Sequence, residues 1–76
     1  MMFLNELKPG MKAKVKEICI ENEMLCRRLM DMGIAEDAEI LITCKAPLGG
    51  PVALECANQS ICIRRNDAAC IQVERV

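Results

Sequence analysis

Hydrophobic and polar residues alternate with period two over most of the chain, the spacing that turns one face of a β-strand toward a core. Met11, Ala13 and Val15 alternate with Lys12, Lys14 and Lys16. The phase then slips, because Ile18 and Ile20 fall on the opposite parity. A β-bulge or strong bend near Lys16–Glu17 would return them to the core. Further on, residues 38–45 set Ala38, Ile40, Ile42 and Cys44 on one face, and Val52, Leu54 and Cys56 alternate with Ala53 and Glu55. Asn58-Gln59 then offers a short connection, read as a hairpin, to Ile61 and Ile63. Asn66-Asp67-Ala68-Ala69 reads as one short helical turn before Ile71 and Val73 enter the last strand.

One segment breaks the alternation. In residues 22–32, Leu25, Leu29 and Met32 recur at i, i+4 and i+7, one stripe of an amphipathic helix. Asn22 is placed to cap its start and Gly33 its end. Ahead of the first strand, Leu4 and Leu7 lead into Pro9-Gly10, a turn signal. The pattern predicts one mainly β domain over residues 1–76. It is a small, partly open barrel of about five strands, with one α-helix after the first strand and a short helical turn before the last.

Composition agrees with this and removes several functions. The 76 residues are 53% hydrophobic and 28% charged, which fits one globular domain and not a disordered chain. The net charge is −1 and phenylalanine supplies the only aromatic ring. Nucleic acid is therefore not expected as a partner, and Lys12, Lys14 and Lys16 read as a solvated face. A polyproline groove would also need aromatics. No apolar stretch is long enough to enter a bilayer, and MMFLNELKPG holds no signal-peptide core, so a cytoplasmic location is expected. There is no histidine and no phosphate-binding GxxxxGK[ST]. An enzyme is not expected, and no catalytic residue is assigned.

Six cysteines remain. Cys19, Cys26, Cys44, Cys56, Cys62 and Cys70 are separated by 7, 18, 12, 6 and 8 residues, without a CxxC pair. Local zinc-site spacing is missing. Several lie among apolar neighbours in strand-like segments, where a reduced cysteine acts as a small hydrophobe. The alternative is a transition-metal-binding or metal-sensing domain, with thiolates such as Cys19, Cys26, Cys44 or Cys70 holding iron(II) or zinc. No ligand set follows from spacing alone.

Longer strings carry a resemblance. Leu4…Leu7-Lys8-Pro9-Gly10, Arg27-Arg28-Leu29-Met30-Asp31-Met32-Gly33-Ile34, Ala46-Pro47-Leu48-Gly49-Gly50-Pro51 and Ile63-Arg64-Arg65-Asn66-Asp67-Ala68…Ile71-Gln72-Val73 together resemble the FeoA family, in its order and spacing. The resemblance implies a small cytosolic SH3-like barrel of bacterial ferrous iron uptake. It also implies association with the cytoplasmic side of a FeoB-type ferrous iron transporter, whose transport it would regulate or support. Two positions depart from the pattern. Glu36-Asp37 stands where Pro-Gly is usual, so a side chain is expected to build that turn. Gly50 stands where aspartate is more usual. The cysteines match no motif of the family.

Two surfaces are candidates for partner binding. On the helix, Arg27 and Arg28 lie outside the apolar stripe and suit an acidic patch, although exposed arginines are often simply solvated. In the loop, Pro47, Leu48, Gly49, Gly50 and Pro51 fix a backbone shape at a barrel mouth, where function often resides. Leu48 is the telling residue, since it is either tucked into the barrel or offered to a partner. Of Arg64-Arg65, one is expected to face out and the other to pair with Asp67 or Glu74 at the barrel end. An open sheet edge would allow a weak homodimer.

Overall fold

The computed structural model describes residues 2–76. Six antiparallel strands form one open sheet: β1 (Met2–Phe3), β2 (Lys12–Ile18), β3 (Glu39–Lys45), β4 (Val52–Cys56), β5 (Gln59–Ile63) and β6 (Ile71–Arg75). Their spatial order is β1-β6-β2-β3-β4-β5, so the last strand returns beside the first long one and the sheet coils into an open barrel. Helix α1 (Glu23–Asp31) follows β2, and α2 (Arg65–Ala68) joins β5 to β6. The strand added to the expected five is β1, two residues too short to show alternation. It runs directly into a 3-10 turn at Leu4–Glu6 that buries Leu4 and carries the chain to the equally buried Leu7.

The phase slip in β2 is a bulge. Val15 pairs with Val73 and Glu17 with Gln72, which leaves Lys16 as the extra residue. A second bulge interrupts β3. Ile42 pairs with Leu54 and Cys44 with Ala53, so Thr43 is extra and Cys44 turns out to solvent. The expectation that Cys44 joins Ile40 and Ile42 in the core is therefore corrected. The β4–β5 hairpin turns at Ala57-Asn58, one residue before the expected site, and both have positive φ, as a tight type I′ connection needs. Val52, Leu54, Cys56, Ile61, Ile63, Ile71 and Val73 all point inward, and no polar side chain is buried among the described residues.

Helix α1 is bounded as its sequence indicates. Asn22 Oδ1 accepts hydrogen bonds from the Met24 and Leu25 amides at 3.0 and 3.2 Å. At the other end Gly33 has φ +97°. Its amide donates to Met30 O and the Ile34 amide to Leu29 O, a Schellman closure in which buried Ile34 packs with buried Leu29. Cys56 backs this corner, its thiol donating to Gly33 O at 3.3 Å. The turn before β3 differs from expectation. It is closed by the backbone, Ala38 N donating to Ala35 O, while Asp37 takes a left-handed φ of 68° that aspartate tolerates.

Two predictions follow from these contacts. Asn22→Ala removes the acceptor for two helix amides and lowers unfolding free energy by about 1 kcal/mol, measurable by urea denaturation. Stability also falls at alkaline pH. Burial raises the Cys56 thiol above its ordinary 9.0, and the hydrogen bond and charge of Glu74 raise Lys16 above 10.5. In both cases the unfolded chain loses the proton first. Stability is thus level through neutral pH and declines above about pH 9, and Cys56→Ala weakens the early part of that slope.

Candidate functional site

Strand β3 and strand β4 are joined by the loop at residues 46–51. Ala46 N donates to Pro51 O at 3.0 Å, and Gly50 N donates to Pro47 O at 3.2 Å. The tip between them is Leu48-Gly49, with φ of 58° and 76°. A bulky residue seldom adopts a left-handed backbone, so Leu48 is held there by the tight turn around it. Its side chain is wholly exposed. Of the two expected places for Leu48, the structure shows the outward one.

Gly50 has a steric reason to be glycine. A Cβ built on it would lie 2.5 Å from Ala46 Cβ, too close for any real pair of carbons. The far side of the loop is fixed by Arg65, at the start of α2. Its Nε donates to Gly50 O at 3.0 Å and its Nη2 to Ala46 O at 2.8 Å. A rigid planar fork thus bridges the two carbonyls where the loop leaves and re-enters the sheet. The expected pairing of an arginine with Asp67 or Glu74 is corrected here. Arg65 serves loop carbonyls, and Glu74 is instead 3.0 Å from Lys16 Nζ.

Arg64 faces outward and joins the two candidate surfaces. It lines a depression of about 260 Å³ beside Gly49, Gly50 and Pro51. It also lines a larger groove of about 660 Å³ between α1 and the β5–α2 junction, with Met24, Leu25 and Arg28 on the opposite wall. Arg28 therefore shares a groove with the surroundings of the loop. Arg27 does not: it lies by Glu23 and Asp31 on the flank of α1. Met24 and Met30 are exposed on the same helix. Arg64 and Met24 were not among the expected binding residues. A basic residue ending a strand and an apolar residue outside the helical stripe were the available signals.

The cysteines divide by environment. Only Cys56 is buried, Cys26 and Cys70 are half-buried, and Cys19, Cys44 and Cys62 are exposed. The structural, core-filling role thus fits Cys56 alone. Among the described residues no three His, Cys, Asp or Glu side chains gather to hold a metal ion, so Cys19, Cys26, Cys44 and Cys70 do not form one ligand set.

The clamp makes a local prediction. Arg65→Ala leaves the barrel folded but frees the 46–51 loop, seen as faster amide exchange at Ala46 and Gly50, with a loss of about 1–3 kcal/mol for charge-assisted hydrogen bonds. Arg65→Lys restores only part, since one ammonium does not reproduce the fork.

Comparison with known proteins fits this architecture. The FeoA domain profile matches residues 2–75. A FeoA protein of Chlorobium tepidum superposes with a TM-score of 0.92 at 37% identity, covering 99% of this chain and 70% of that one. A FeoA-like protein of Clostridium acetobutylicum matches with a TM-score of 0.83 at 40% identity, covering 99% and 86%. The Stenotrophomonas maltophilia FeoA, solved with zinc and described as a prokaryotic SH3 domain protein, gives 0.81 at 25% identity, covering 97% and 91%. No curated protein sequence matches. The open six-stranded sheet is SH3-like, and the chain belongs to the FeoA family.

Proposed function

We propose that this protein is a small accessory factor of bacterial ferrous iron uptake that binds the cytoplasmic side of a FeoB-type transporter and modulates it. Family membership supplies the transport context. The observation that carries the interaction role is Leu48, a wholly exposed leucine held in a left-handed turn whose base is bridged by Arg65. An apolar side chain fixed outward on a loop with little remaining freedom loses little entropy on docking. Beside it, Arg64 and Arg28 offer guanidinium groups to carboxylates of the partner. Leu48 and the Pro47–Pro51 backbone give the apolar contact, and the arginines give orientation and rate of encounter.

Isothermal titration of the purified chain with the cytoplasmic domain of its transporter tests this. Leu48→Asp weakens binding about tenfold or more while the fold is kept, since that side chain touches nothing in the free protein. Arg28→Glu slows association and flattens or reverses its salt dependence, because an attraction that salt screens has been replaced by a repulsion. Absence of association at every nucleotide state and salt concentration would overturn the proposal.

A further inference from the structure

We propose that Cys19 and Cys70 form a thiol pair that hydrogen peroxide converts to an intramolecular disulfide. Nothing in their spacing along the chain joins them; the sheet does. In the β2–β6 ladder Glu17 pairs with Gln72 and Ile18 with Ile71, and continuing that register one step past its last pair sets Cys19 opposite Cys70. A backbone hydrogen bond extends the ladder to them, Cys19 N donating to Cys70 O at 2.8 Å. The return bond is not made, because Cys70 N donates to Asp67 O, so the two residues meet where the ladder ends against the turn after α2. Directly opposed residues of an antiparallel pair have Cα atoms about 4.5–5.5 Å apart. Disulfides span Cα separations of roughly 4.4–6.8 Å, a range that includes this spacing.

The accessibility of the two thiols allows a two-step oxidation. Cys19 is exposed and open to peroxide, whereas Cys70 is half-buried, with its thiol near Asn66 O. The Cys19 thiolate attacks one peroxide oxygen, the O–O bond breaks, and a sulfenic acid and water result. The Cys70 thiol then attacks that sulfur and displaces a second water. In sum, two thiols and one hydrogen peroxide give one disulfide and two waters, and a dithiol reductant reverses it. Partial desolvation, then the Glu17 carboxylate, raise the Cys19 thiol above its ordinary value, so the rate climbs with pH. The bond would tie the exit of β2 to the end of α2, the helix that begins with the loop clamp Arg65. The other cysteines are not part of this pair: Cys56 is buried, and Cys26 lies in α1.

The test uses the whole, unmodified chain treated with hydrogen peroxide and mapped after cleavage at glutamate and arginine, which separates Cys19 from Cys26 and Cys70 from Cys56 and Cys62. The expected result is a monomer lighter by two hydrogens with a Cys19–Cys70 linked peptide, reversed by dithiothreitol. Its Tm should rise by about 10 °C, since a long loop has been closed. Cys19→Ser and Cys70→Ser each abolish the linked peptide. Sulfinic acid on Cys19 with Cys70 still free, disulfides only between chains, or a monomer that keeps all six thiols would each overturn the proposal.

Discussion

Strands of five to seven residues enclose a core only if their sheet coils tightly, and in this protein the coil is set by two extra residues. Lys16 in β2 and Thr43 in β3 each oppose no partner and each bend their strand. The first lets Val15 and Ile18 pack inward although they differ in parity. The second sends Ile42 in and Cys44 out, just ahead of the 46–51 loop. Without these steps alternate residues would swap faces, and the apolar cluster would lose its closure.

The loop illustrates how the fold stores a constrained conformation. A leucine in a left-handed turn is unfavourable in isolation, and the surrounding contacts over-determine it: two backbone bonds within the loop and the two-pronged contact from Arg65. Helix α2 can supply that arginine because it packs against the 3-10 turn after β1, with Ala68 fully buried beneath it. The N-terminal residues thus support, through α2, a loop far along the chain. Lys45 makes the same connection from the other side, its Nζ donating to Asn5 O at 2.8 Å.

Much of this was legible in the sequence where side chains declare their own geometry. Asn22, Gly33 and the Leu25–Leu29–Met32 stripe mark α1, and the parity change at Ile18 marks the first bulge. The second bulge was hidden, because Ala38, Ile40, Ile42 and Cys44 keep perfect alternation through it and only the pairing with β4 reveals the slip. The partners of Arg65 were hidden for another reason. They are main-chain carbonyls, which no residue letter announces, whereas Asp67 and Glu74 were visible as charges. The backbone bond from Cys19 N to Cys70 O likewise arises from tertiary structure alone.

A side chain at position 50 would collide with Ala46, so what position 50 can hold depends on position 46. In evolutionary terms they are an epistatic pair: a larger residue at position 50 is excluded while Ala46 stays where it is, and is admitted only if position 46 loses its Cβ or the loop changes its path. Such a change would move the carbonyls that Arg65 holds, and with them the direction in which Leu48 projects. A chain that took a side chain here by moving the loop would present a differently shaped tip, while the barrel beneath it stayed the same.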